Sequence, residues 1–231
     1  MKKLKLLAPI VLSLGLAACS TPGGAHRHDG SAVYLDKARL EALEFPPPPA
    51  PGSPLDRTDL LELHDWQARR TAGQCAKGAA EGEAYFDQFF GELNPFTGPL
   101  PKESRKFLLR VREDISTAVS ILQKRYARPR PFLEDAALTP CLGRFGGLAY
   151  PSGHATISRV YALLLTEIAP LRRSEFMARG DEAALLRVIG GVHHPSDIEA
   201  GKQLGDILFG RFMQDPSFRA GLEKLRFYAA K

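Results

Sequence analysis

The sequence predicts an all-α domain, and three observations carry that reading. From residue 55 onward, apolar residues recur at three- and four-residue steps in one segment after another. Prolines and glycine clusters divide those segments, as helix boundaries require. No stretch alternates apolar and polar residues between turn signals as a half-buried strand would. The chain has 231 residues, 44% apolar and 25% charged, which suits one globular domain able to bury its own core.

The first elements lie outside that body. Residues 1–18 place Lys2, Lys3 and Lys5 ahead of a short apolar stretch, the pattern of a secretory leader and too short for a spanning helix. Leu16, Ala17, Ala18 and Cys19 resemble a bacterial lipobox, implying cleavage before Cys19, lipidation of that thiol and membrane association through the lipid. Ser20 after the cysteine is compatible with sorting to the outer membrane. The expected location is therefore the periplasmic side of the cell envelope. Residues 19–54 read as a tether containing His26 and His28, followed by the proline-rich strap "FPPPPAPGSP" at 45–54. Removing the leader takes the formal charge from +5 to +2, with 28 basic against 26 acidic residues. A nucleic-acid partner thereby loses most of its electrostatic support. Cys75 and Cys141 remain; in an oxidising compartment they are either one disulfide or two buried thiols.

Residues 55–231 form the helical domain. "LDRTDLLELHDWQARR" (55–70) opens it, and "EAYFDQFFGEL" (83–93) gives a second segment closed by "NPFTGPLP". In "ESRKFLLRVREDISTAVSILQKRYA" (103–127), Leu108, Val111, Ile115, Val119, Leu122 and Tyr126 make one face apolar for about six turns. Pro129 and Pro131 stop that helix and send Arg128 and Arg130 out on a stiff, extended segment. After a loop at 132–150, further helices are expected at 154–170, 173–192, 195–213 and 215–230. Pro195 suits a first helical turn, and Asp215 a cap.

Two short motifs carry chemistry. In "YPSGHAT", Ser152 can cap a helix that starts at Gly153 and His154, and the first amides of a helix form a ready anion site. Gly153 brings no Cβ between the anion and the backbone. In "RVIGGVHHPSD", Asp197 follows His193 by four residues and His194 by three. A carboxylate so placed can orient one imidazole nitrogen and leave the other as a nucleophile. His64 reads as a helix-surface or core histidine. No cysteine or histidine spacing suggests a metal site, and no cofactor is expected.

Together with "QKRYARPRPF", these segments resemble the bacterial class A histidine acid phosphatases of the type 2 phosphatidic acid phosphatase and vanadium haloperoxidase superfamily. That family has a lysine, six residues and Arg-Pro; then Pro-Ser-Gly-His; then Ser-Arg, five residues, His, three residues and Asp. Arg130-Pro131, Pro151-Ser152-Gly153-His154, Arg187, His193 and Asp197 match in order and spacing. The resemblance implies that family's single-domain helical bundle and a metal-independent phosphomonoesterase. It makes His193 the nucleophile rather than His194, with His154 the acid and base, and Asp197 the orienting carboxylate. Arg130, Arg187, Ser152, Gly153 and Lys124 are the expected phosphate ligands. Two positions depart: Gln123 stands where the family has lysine, with Lys124 beside it, and Leu186 stands for the serine. One helical position is a rotation of about 100°, so Lys124 serves only if its stem bends back. A broad range of small phosphomonoesters is the expected substrate class, with lipid-linked phosphates, vanadium-dependent peroxidation or phosphate binding without turnover as alternatives. The sequence leaves both a monomer and a homo-oligomer open.

Overall fold

The computed structural model describes residues 33–230; the leader, Cys19, and His26 and His28 of the tether lie outside them. Ten α-helices follow one another: α1 Lys37–Glu41, α2 Pro54–Arg69, α3 Ala72–Ala80, α4 Phe86–Phe90 and α5 Lys102–Tyr126, then α6 Pro131–Glu134, α7 Gly153–Ile168, α8 Arg173–Ile189, α9 Pro195–Phe212 and α10 Pro216–Arg226. A 3₁₀ turn at Pro170–Arg172 joins α7 to α8. Among the described residues there is no strand, only an isolated bridge between Phe96 and Ala229.

Helix α7 is the centre of the bundle. Val160, Ala162, Leu164 and Leu165 on it are wholly buried, and it packs along both α8 and α9. The contact with α9 is close because α9 carries Gly201: a Cβ there would lie 2.6 Å from the carbonyl oxygen of Ser152. The start of α9 is therefore pressed against the start of α7, which brings the two sequence motifs together. The core continues through Phe107, Val111 and Ile115 of α5, where Phe107, Phe212 and Phe218 meet Tyr34 edge-on and Phe212 stacks on Phe218.

The folded body takes in more of the chain before residue 55 than helical periodicity shows. Leu35, Leu40, Leu43 and Phe45 are buried. Asp114 of α5, itself fully buried, accepts hydrogen bonds from the backbone amides of Val33, Tyr34 and Leu35 at 2.7, 2.7 and 3.0 Å. The proline strap crosses the end of α5, where its carbonyls are its available hydrogen-bonding groups. Tyr126 and Tyr150 donate to the carbonyls of Phe45 and Pro46, and Arg125 donates to those of Glu41 and Leu43.

Two short helices escape the periodicity argument. Helix α3, "AGQCAKGAA", is too small-residue-rich to show an apolar stripe, yet Thr71 and Gln74 cap it reciprocally. Cys75 on α3 is bonded to Cys141 in the loop after α6, across 66 residues of chain, so the two thiols are a disulfide. Helix α6 occupies the first turn after Arg130, which the sequence assigns to loop.

Candidate active site

The site forms where the C-terminal parts of α5 and α8 and the starts of α7 and α9 converge. Backbone hydrogen bonds fix its segments to one another: the amide of Ser152 donates to the carbonyl of Asp197 at 3.0 Å, and that of Ala149 to Arg128 at 2.9 Å. A cavity of about 250 Å³ opens there, walled by Arg130, Gly153, His154, Arg187 and His193, with Val119 and Gln123 of α5 and Phe145 completing it.

His193 is nearly inaccessible, and its Nε2 lies 2.7 Å from Nη1 of Arg130. A guanidinium can only donate, so Nε2 presents a lone pair and Nδ1 carries the ring proton. Nδ1 stands 3.5 Å from Oδ2 of Asp197, longer than a good hydrogen bond, and has no other partner. Oδ2 is held more tightly by His194, from its backbone amide at 2.8 Å and its Nδ1 at 3.0 Å. Nε2 of His194 lies 3.3 Å from Glu134. His194, fully buried between two carboxylates, thus caps α9 and does not line the cavity. Burial and the neighbouring Arg130 push His193 down to about 4, with Asp197 opposing. The free imidazole is neutral above that pH.

His154 lies on the opposite wall. Its Nε2 is 3.1 Å from the backbone carbonyl of Glu81, an acceptor only, so Nε2 carries a proton and Nδ1 is left to exchange one. Burial, then Arg187 and His193, push it down to about 3.

Three buried arginines divide into two kinds. Arg128 meets Asp56, Asp59 and Asp197 at 3.0, 3.1 and 2.8 Å; burial opposes its charge, but Asp197 and Asp59 outweigh it. Arg130 and Arg187 have no carboxylate within salt-bridge distance among the described residues, although both are buried and wall the cavity. Arg130 donates to the carbonyl of Val192 at 2.9 Å and Arg187 to that of Gly78, and the Nε of each is buried without a partner. Burial lowers both to about 10, so both are cations at any physiological pH. Two unneutralised buried cations with spare donors call for an anion between them. Burial would raise Asp197, but His193 and His194 outweigh it and hold the carboxyl far below its ordinary range.

Residues 115–219 match the PAP2 superfamily. A non-specific acid phosphatase of Salmonella typhimurium is 30% identical over 196 residues, covering 79% of this chain and 77% of its own length. A non-specific acid phosphatase of Providencia stuartii is 31% identical over 250 aligned positions, spanning all of this chain and 99% of its own. The chain belongs to the PAP2 superfamily. The PAP2 fold is also seen against a bacterial vanadium-dependent iodoperoxidase, with a TM-score of 0.59 at 18% identity over 78% of this chain. That likeness concerns the fold alone, and this chain spans 54% of the longer iodoperoxidase.

Within this PAP2 domain, the structure gathers His154, His193, Arg130, Arg187 and Gly153 at one cavity, with Asp197 behind His193. Lys124 and Ser152 stand elsewhere. Lys124 is exposed and lines no part of the cavity, because one step along α5 has turned it away; Gln123 faces inward and donates to the carbonyl of Pro151 at 3.1 Å. Ser152 is fully buried, and its Oγ accepts from the amide of Ala155 at 3.4 Å as the cap of α7. Leu186 is buried in the place of the family serine. Sequence reasoning missed Arg128 with its partners Asp56 and Asp59, and missed α3, whose last turn and C-cap supply the Gly78 and Glu81 carbonyls. The two aspartates had a faint signal: they stand three apart on one face of α2. Glu81 had none. Among the described residues, no group of three or more His, Cys, Asp or Glu side chains is placed to hold a metal ion.

Proposed function

We propose that this PAP2 protein is an acid phosphatase that hydrolyses phosphate monoesters through a phosphohistidine on His193. One observation carries the reading: a histidine whose Nε2 lone pair meets only the guanidinium of Arg130 shares a cavity with two buried arginines that make no salt bridge to a carboxylate among the described residues. The relatives named non-specific acid phosphatase support the same reaction class.

The first step needs the phosphoryl oxygens held by Arg130, Arg187 and the amides at the start of α7, where charge stabilisation does most of the work of phosphoryl transfer. A phosphoryl oxygen takes over the Nη1 donor of Arg130 and frees the lone pair of His193 Nε2. Nε2 then attacks phosphorus in line as the ester P–O bond breaks. The imidazole becomes cationic, and Asp197, locked as a carboxylate by Arg128 and His194, stabilises it. His154 delivers a proton from Nδ1 to the departing oxygen. In the second step His154 takes a proton from water, whose oxygen displaces Nε2 from phosphorus and returns His193 to its neutral form. No step draws on a metal ion.

The protonation states of His193 and His154 set the pH dependence. His193 must be neutral, and in the free protein it is so above about 4. His154 must be protonated in the complex, which a bound phosphate dianion favours by cancelling the arginine charges that oppose it. Activity should rise from pH 4, peak below neutrality and fall toward alkaline pH. Hydrolysis of p-nitrophenyl phosphate across this range, with a chelator present, tests the reading. Turnover that survives chelation, follows that profile and is lost in His193→Ala is expected; a rate still climbing above pH 9, or a His193→Ala variant with wild-type turnover, contradicts it.

Location is part of the proposal. The leader, the Leu16–Cys19 lipobox and the Cys75–Cys141 disulfide, which belongs in an oxidising compartment, support a lipid-anchored envelope enzyme. No helix among the described residues is long and apolar enough to cross a membrane.

A further inference from the structure

Phe145 is the one phenyl ring among the described residues that line the cavity, and it is 44% exposed. It sits on the loop between α6 and α7, bracketed by Gly143 at φ +89° and Gly147 at φ +96°. Those left-handed positions admit glycine and few other residues, so the loop's course between them is set by backbone geometry. The ring is carried over the guanidinium of Arg130, whose Cζ lies 5.2 Å from its centroid. The same guanidinium touches the nucleophilic nitrogen of His193. Ring, cation and nucleophile are therefore joined by consecutive contacts.

The cavity's size says where a leaving group goes. At about 250 Å³ it is smaller than the ~300–1,000 Å³ of pockets that enclose a whole small ligand. In-line displacement sends the leaving group away from His193, so it emerges at the rim. Of the residues lining the cavity, Ser116, Ser120 and Gln123 of α5 are half-buried and Phe145 alone is exposed, so its ring stands where the cavity opens to solvent.

We propose that Phe145 makes this site selective for phosphate esters of aromatic alcohols, by stacking the leaving-group ring on its own. The inference rests on the phosphomonoesterase reading and adds the substrate class. A flat ring meets the face of Phe145 in an offset or edge contact, worth a few-fold to about tenfold in affinity, whereas a hydroxylated alkyl chain gains little there.

Binding and turnover of paired probes separate the possibilities. Benzylphosphonate carries a methylene in place of the ester oxygen of phenyl phosphate, and ethylphosphonate lacks the ring. Calorimetry should show benzylphosphonate weakened about five- to tenfold in Phe145→Leu, ethylphosphonate changed less than twofold, and the preference kept in Phe145→Trp. The kcat/KM for phenyl phosphate should fall in the same proportion in Phe145→Leu, and by several-fold more than that for glycerol 2-phosphate. Equal losses for both probes would mean that Phe145 only covers Arg130 and would overturn the proposal, as would no loss for either. Wild-type protein that binds benzylphosphonate selectively yet turns over no ester would sink the phosphatase reading and leave the stacking surface standing.

Discussion

Arg128 and Arg130 stand two residues apart, yet among the described residues Arg128 meets three carboxylates and Arg130 meets none. The difference assigns them opposite tasks. Arg128 neutralises a buried acidic cluster and holds Asp197 in place, whereas Arg130 keeps its charge for a ligand. Replacing Arg128 by leucine would strand Asp56, Asp59 and Asp197 as buried charges. Urea unfolding should then show a loss of about 3–5 kcal/mol, the range for removing one partner of a buried pair; a loss under 1 kcal/mol would mean that the cluster is not neutralised this way. Gly153 offers a cleaner probe of the anion site. A Cβ there would lie 3.6 Å from Val119 Cγ1, an ordinary contact, so the protein itself tolerates alanine. Gly153→Ala should leave the melting temperature unchanged or slightly higher and raise KM for p-nitrophenyl phosphate about tenfold, since the methyl occupies the face that the phosphoryl group approaches. An unchanged KM would place the phosphate elsewhere.

At the scale of elements, the sequence was most legible where a helix has a wide apolar stripe or an explicit cap. Helix α5 spans Lys102–Tyr126 against an expected 103–127, α7 begins at Gly153 behind its Ser152 cap, and α9 begins at Pro195 as its first-turn proline foretold. Helix α3 was invisible because alanine and glycine give no stripe, and its role is carried by backbone carbonyls, which have no side-chain signature. The displaced lysine has an equally physical reason. Gln123 and Lys124 are neighbours in sequence but face different sides of α5, so proximity along the chain says little about reach into the cavity. Helix α3 and its C-cap support His154 and Arg187 through the Glu81 and Gly78 carbonyls, and the helix is itself fastened by the Cys75–Cys141 bond. Closing a loop of 66 residues is worth about 4 kcal/mol in the chain-entropy picture. Cys141→Ser should lower stability by that order in thermal and urea melts and should reduce kcat under conditions where the protein remains folded. Unaltered kcat would show that α3 keeps its place without the bond.

The whole molecule is a device for bringing three distant stretches of chain, 128–130, 152–154 and 187–197, to one point. Gly201 lets α9 approach α7, the Ser152 amide reaches the Asp197 carbonyl, and Arg130 spans to Val192. The resemblance of the motifs located that point in the sequence, but the scaffold around it, Arg128 with its aspartates and the turn of α3, needed the fold. The central claim is that His193, and not the adjacent His194, takes the phosphoryl group. His194 is closer to Asp197 but is enclosed by Asp197 and Glu134, while His193 faces the cavity. The most direct test mixes His154→Ala with p-nitrophenyl phosphate, whose leaving group departs without an acid, so that the second step stalls for want of a base. A burst of one nitrophenolate per protein is predicted, with peptide mapping of alkali-quenched protein finding the phosphoryl group on His193. A phosphoryl group on His194 or any other residue, or steady turnover with no covalent intermediate, would contradict it.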